Sequence, residues 1–157
     1  MRFIKINGKR KGTLIVDDED YLKCKSKSLH ISKRGYVSYG VYDPFTKGTY
    51  VILLHRVLAK AKRGERIDHR NRNKLDCRKR NLRRASAWQN MCNRGLQSNN
   101  RTGYRGVVKR GDSYLVYFKH RGKCNYLGSF KSAEIAAKIW NKEASAKRGE
   151  FAVLNVL

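Results

Sequence analysis

The sequence predicts an α+β chain with three parts: a β-rich N-terminal segment, a strand–loop–strand–helix core at about residues 65–94, and a three-stranded antiparallel sheet packed on one helix at 104–157. Three observations predict it. Short β-like runs broken by turn sequences fill the first 60 residues. Leu82 and Ala85 then run into Ser86-Ala87-Trp88-Gln89, a sequence that starts helices. Finally, apolar residues after Ser132 recur with helical spacing behind three strand-like runs.

In chain order, Asp17-Asp18-Glu19-Asp20 precedes Tyr21-Leu22 and predicts a short helix, because carboxylates are favoured at a helix N-terminus. Consecutive carboxylates on one turn point in different directions, which favours this role over an acidic metal site. Tyr36–Tyr42 and Thr49–His55 flank Asp43-Pro44-Phe45-Thr46-Lys47-Gly48 and predict a loose hairpin. On that second strand His55, among Val51, Leu53 and Leu54, reads as a structural or phosphate-contacting histidine. The capping box at Ser86–Gln89 puts a helix start just before Asn90. Residues 95–103 have the polar, Gly/Asn-rich composition of a linker between a domain at 1–94 and one at 104–157.

In the second domain, Tyr104–Lys109 and Tyr114–Lys119 read as strands around the turn Arg110-Gly111-Asp112-Ser113. Cys124–Leu127 is the third strand. Ser132 caps a helix whose Ile135, Ala136, Ile139, Trp140 and Ala144 form its buried stripe, and Gly149 ends it. Trp88 and Trp140 read as core residues.

Charge names the partner class. The chain carries 37 Lys+Arg against 12 Asp+Glu, a formal net charge of +25 spread over its whole length. Such an excess repels itself in a free globule, so a neutralising polyanion is expected, and a broad nucleic-acid surface fits better than a single basic arm. No run approaches the roughly 20 apolar residues of a spanning helix, so no membrane role is expected. The N-terminus Met1-Arg2-Phe3-Ile4-Lys5 lacks a secretory core, which predicts an intracellular, non-secreted protein. The four cysteines form no Cys-x-x-Cys pair, which argues against zinc and leaves them reduced.

The chemistry concentrates at Asp68-His69, Asn81 and Asn90. Hydrolysing a phosphodiester needs a cation to neutralise the phosphate and a base to strip a proton from water. Asp68 offers a hard anionic oxygen and Asn90 a neutral one, a pairing suited to Mg²⁺, with Mn²⁺ as the alternative. His69, with an ordinary pKa of about 6.5, suits the base, and Asn81 can steady it. Each residue alone is unremarkable; the joint spacing in a basic chain points to metal-assisted cutting of nucleic acid.

Asp68-His69, Asn81-Leu82-Arg83 and Gln89-Asn90 resemble the three elements of the HNH endonucleases in their ββα-metal form. The likeness is to the small phage and intron-encoded group, and Leu54-His55-Arg56 and Asn71–Arg78 share it. The resemblance implies His69 as general base and Asp68 and Asn90 as ligands of one divalent cation. It implies Asn81 as the residue that holds the loop and orients His69. The third element here is Asn where others have His; Arg72 stands where many relatives have Gly, and Arg70 where an aliphatic residue is common.

Residues 104–157 resemble the APETALA2/ERF-type DNA-binding domain through Tyr104-Arg105-Gly106-Val107, Tyr126-Leu127-Gly128-Ser129-Phe130, Ala136-Ala137 and Gly149–Asn155. That resemblance implies a sheet facing DNA with Arg105, Lys109, Arg110, Lys119 and Tyr126, and with Lys123 beside them. The expectation is a homing-like, metal-dependent endonuclease acting on duplex DNA, in the cytoplasm of a bacterial host if phage-encoded. It acts as monomer or dimer, nicking or breaking both strands. The rivals are a non-catalytic DNA-binding regulator and an RNA- or ribosome-binding protein with a remnant nuclease fold.

Overall fold

The computed structural model describes residues 1–157, which form two compact units, Met1–Ser86 and Ala87–Leu157. Both mix small antiparallel sheets with helices, the α+β class expected. The helix carrying Asn90, read from the sequence as the end of the first domain, groups with the second unit, as does the segment read as a linker.

The first unit opens with a hairpin, β1 (Arg2–Ile6) and β2 (Gly12–Val16), whose alternation turns Leu14 and Val16 fully inward. Helix α1 (Asp18–Lys25) follows, with Asp18, Glu19 and Asp20 in its first turn as the acidic run predicts. Strands β3 (His30–Ile31), β4 (Val37–Asp43) and β5 (Gly48–Leu53) form an antiparallel sheet in the order β3-β4-β5. The loose hairpin is therefore present, but its second strand stops at Leu53. Residues Leu54–Leu58 turn into helix α2, which places His55 on a helix rather than on the strand. Leu54, His55 and Leu58, at i, i+1 and i+4, are the residues this short helix buries.

Strands β6 (Arg66–His69) and β7 (Leu82–Ala85) complete the unit as an antiparallel pair, with a 3₁₀ turn at Lys79–Asn81 leading into β7. The core under these elements includes Ile6, Leu14, Val16, Cys24, Val37, Leu54, Ile67 and Cys77. Burial pushes the thiols of Cys24 and Cys77 up to about 11 and about 12, so both are neutral core residues. All four cysteines are free.

The second unit begins with helix α3 (Ala87–Cys92), which starts directly after Ser86. Strands β8 (Val107–Arg110), β9 (Ser113–His120) and β10 (Lys123–Phe130) form an antiparallel sheet with β9 central. Helix α4 (Ala133–Arg148) covers one face. Ser132 caps it by accepting the Ile135 N–H at 3.4 Å, and Gly149 follows at φ 52°, a left-handed backbone that suits glycine.

The stripe that α4 buries is Ala136, Ala137, Trp140 and Ala144, against Val107, Val116 and Phe118. Ile135, expected in that stripe, is half exposed, because the sheet meets the helix one residue further round. Gly106 is required at its position. It has φ +72°, and a Cβ there would lie 2.1 Å from the Trp140 indole nitrogen. Trp88 is only partly buried and packs edge-on against His120, ring centroids 4.7 Å apart.

Candidate functional site

The pairing of β6 with β7 sets Asp68 opposite Arg83 and His69 opposite Leu82. Asp68, His69, Asn81 and Arg83 are all at most 9% exposed. For two polar side chains and a charged pair this is unusual, and each must be held by specific partners.

Asn81 is bonded on both sides of the loop that joins the strands. Its Oδ1 accepts the Asn71 N–H at 3.0 Å and its Nδ2 donates to the Asp76 carbonyl at 2.7 Å. The Arg70 N–H donates to the Asn81 carbonyl at 2.9 Å, extending the ladder one step past His69. Asp76, 1% exposed, accepts from Arg78 Nε at 2.7 Å and Nη2 at 2.5 Å, and from Asn71 Nδ2 at 2.8 Å. Arg78 above all holds the Asp76 carboxyl below the usual carboxylate range.

The loop is also fastened to β2. The Ile15 N–H donates to Leu75 at 2.8 Å, and the Cys77 N–H donates back to Ile15 at 2.9 Å. Asn71 and Asn73 side chains accept backbone N–H groups two residues on, forming successive turns of the kind these residue types favour. Arg72 takes φ 63° at the position where a glycine would sit without cost.

His69 lies in a cluster of three rings. Its ring centroid is 5.1 Å from that of His55 and 6.0 Å from that of Tyr36, while His55 and Tyr36 are 5.1 Å apart. Lys74 Nζ stands 4.5 Å from the centre of the Tyr36 ring. Burial lowers the His69 pKa against the opposing pull of Asp68 and Asp76, which favours a neutral imidazole at neutral pH. Burial, with His69 and Arg56 nearby, lowers that of His55 to about 4. The His55 Nδ1 is buried with no hydrogen-bond partner.

Asp68 is held by Arg83, whose Nε and Nη2 both stand 2.9 Å from Oδ2. The structure thus brings Asp68, His69 and Asn81 together in the first unit, while Asn90 lies half buried on α3 of the second. The sequence reading missed Arg83, Asp76 and Tyr36 as supporting residues. Arg83 was within reach, since it lies directly opposite Asp68 once the hairpin register is drawn.

One other group of ligating atoms exists. Oxygens of Asp17, Glu19 and Asp20 lie within 4.8 Å of one another. Lys79 engages all three: its Nζ is 2.5 Å from Glu19 and 3.8 Å from Asp20, and its backbone N–H donates to Asp17 at 2.7 Å. Asp17 makes no side-chain bond to its own helix, so the carboxylate there ties α1 to the turn that carries Asn81.

In the second unit the face of the sheet away from α4 is open. Strand alternation and register place Arg110 with Ser113, Val108 with Leu115 and Ser129, Tyr117 with Tyr126, and Lys119 with Cys124 on this face. Arg110, Lys119 and Tyr126 thus lie on the sheet face predicted for them, and all three are exposed.

The other three residues expected on that face, Arg105, Lys109 and Lys123, lie off it. Lys109 pairs with Tyr114 and Lys123 with His120, positions that point to the helix side. Arg105 precedes β8, and its guanidinium donates to the Arg94 carbonyl at 2.6 Å. Its backbone N–H donates to Asn155 Oδ1 at 2.6 Å, so Arg105 fastens the chain ends of this unit instead of standing on the sheet. Alternation of side chains along a strand is the reason for the first two, and a local bonding partner for the third.

No helix is long and apolar enough to cross a membrane. No family model, curated protein or solved structure matches this chain.

Proposed function

We propose that the chain is a metal-dependent endonuclease that hydrolyses phosphodiester bonds in duplex DNA, with a ββα-metal active centre of the HNH kind and a sheet domain of the APETALA2/ERF kind that grips the DNA. The observation that carries this reading is the β6–β7 pair, which sets a neutral buried His69 next to Asp68 at the mouth of a loop clamped by Asn81.

In this reading His69 takes a proton from water, whose oxygen attacks phosphorus as the bond to the 3′ oxygen breaks. Asn81 fixes the loop beginning one residue after His69, which sets the direction of the imidazole. Asp68 and Asn90 would hold a hard divalent ion, Mg²⁺ or Mn²⁺; their carboxylate and amide oxygens fit that class of ion and not zinc. Such an ion supplies charge neutralisation at the scissile phosphate and leaving oxygen. One active centre per chain attacks one strand, so a monomer nicks.

The test is relaxation of supercoiled plasmid with Mg²⁺ and with EDTA. The wild-type chain is expected to nick only with Mg²⁺, and His69→Ala to lose nicking while keeping DNA affinity within about twofold, since the base is not needed to bind. A folded, DNA-binding wild-type chain that never nicks with Mg²⁺ or Mn²⁺ would favour the regulator reading. Tighter binding of structured RNA than of duplex DNA at one ionic strength would favour an RNA-binding protein.

A further inference from the structure

We infer that the open sheet face of the second unit selects thymine-rich duplex DNA by covering thymine C5 methyl groups with Val108, Tyr117 and Tyr126. The inference rests on the proposed DNA-binding reading and adds the sequence class that the face prefers.

The open face presents two kinds of surface. Its middle is apolar: Val108 is 51% exposed, Tyr117 38% and Tyr126 57%, with the two tyrosine rings 5.6 Å apart across paired strands. Leu115 sits beside Val108 in the neighbouring strand. Its ends are basic, with Arg110 at one and Lys119 at the other, and the turns beyond add Arg121. Asp112 is the one acidic residue in the whole stretch from Val107 to Phe130.

Exposed apolar groups gathered at the centre of a polar, cationic surface mark a contact site. Charge selects a polyanion as the occupant, since Arg110, Lys119 and Arg121 match phosphates flanking a groove. An apolar centre cannot read a guanine edge, which requires bidentate donors such as Arg. What the major groove offers to apolar side chains is the methyl of thymine, and an antiparallel ribbon of strands fits that groove. The major groove of duplex RNA is too narrow for such a ribbon. A face with arginines at its centre would read G·C pairs; this one has a valine and two tyrosines there.

Uracil-for-thymine replacement removes the methyl and leaves the hydrogen-bonding edges intact, so it isolates the proposed contact. Binding of the full chain is measured in EDTA, at one ionic strength, to alternating poly(dA-dT), poly(dA-dU) and poly(dG-dC) duplexes. Wild type is expected to bind poly(dA-dT) tightest and poly(dA-dU) weaker by about fourfold for each methyl covered. Val108→Ser and Tyr117→Ser, both on the open face, should each narrow the gap between the dA-dT and dA-dU duplexes by about the fourfold of one methyl. Circular dichroism confirms that the variants fold. Equal wild-type affinity for the dA-dT and dA-dU duplexes overturns the methyl contact while leaving DNA binding in place. Tighter binding to poly(dG-dC) overturns the thymine preference. Failure to bind any duplex overturns the DNA-binding reading itself, and with it this inference.

Discussion

At the scale of single residues, the first unit depends on buried polar groups that satisfy one another. Asp68 and Arg83 are each less than a tenth exposed, and their carboxylate–guanidinium contact helps to keep both charges tolerable. Removing one member of a buried ion pair costs about 3–5 kcal/mol, because the other charge loses its counterion in a desolvated site. Arg83→Ala is therefore expected to lower the stability of this unit by that order in urea unfolding, far more than Arg84→Ala on the exposed neighbouring position. A loss under about 1 kcal/mol would mean that water reaches Asp68 freely.

His55 gives a second residue-scale prediction. Burial lowers its folded pKa to about 4, below the unfolded value, so the unfolded chain binds more protons between those pH values. Stability is complete above about pH 6.5 and falls as pH drops toward 4, by about 1.4 kcal/mol per pH unit for one such group. His69, also lowered by burial, adds in the same direction. Thermal unfolding from pH 7 to pH 4 should show the fall, and His55→Gln should flatten it. At this scale Asp68, His69 and Asn81 were legible because their chemistry names them. Arg83 was within reach through the β6–β7 register, but Asp76 was not, since among so many basic residues nothing local marks the arginine it is buried with.

Elements were legible where period and punctuation agree. Helix α4 has a cap, a periodic stripe and a terminating glycine, and its bounds follow from them. The β4–β5 hairpin was legible through its turn, yet its end was not: nothing in Val51–His55 distinguishes a continuing strand from the short helix that tertiary packing imposes. The β1–β2 hairpin carries a turn signal of its own, Asn7-Gly8 between Ile6 and Gly12, so its strands were within reach of the sequence; its fastening to the loop at Leu75–Cys77 was not.

The sheet β8–β10 shows what alternation adds to a list of basic residues. Arg110 and Lys119 stand on the open face, whereas Arg105 is bonded to the Arg94 carbonyl. Arg110→Ala and Lys119→Ala should each weaken DNA binding and reduce the slope of log affinity against log salt by about 1, the mark of one lost phosphate contact. Arg105→Ala should leave that slope unchanged and lower the unfolding temperature instead, since it removes a hydrogen bond to a backbone carbonyl. An equal slope change in all three variants would mean that Arg105 reaches the DNA.

For the whole molecule, the division at Ser86–Ala87 separates two compact units, each with its own hydrophobic core and its own charge load. The first unit holds 24 Lys+Arg against 8 Asp+Glu and the second 13 against 4, so each is cationic enough to meet a polyanion independently. What differs is chemistry. Asp68, His69 and Asn81 lie before the division, and Asn90 lies after it on α3. A chain ending at Ser86 keeps every residue of the first core, so it is expected to fold with a cooperative urea transition. It should nonetheless fail to nick DNA with Mg²⁺, because the proposed second ligand is gone. Asn90→Ala in the full chain should lose nicking in the same way while retaining affinity, since the charge of both units is untouched. Raising Mg²⁺ or substituting Mn²⁺ should restore part of the activity to Asn90→Ala, as expected when one of two protein ligands is replaced by water. If the chain ending at Ser86 folds and nicks as the full chain does, Asn90 has no part in the chemistry, and the cation must be held within the first unit alone.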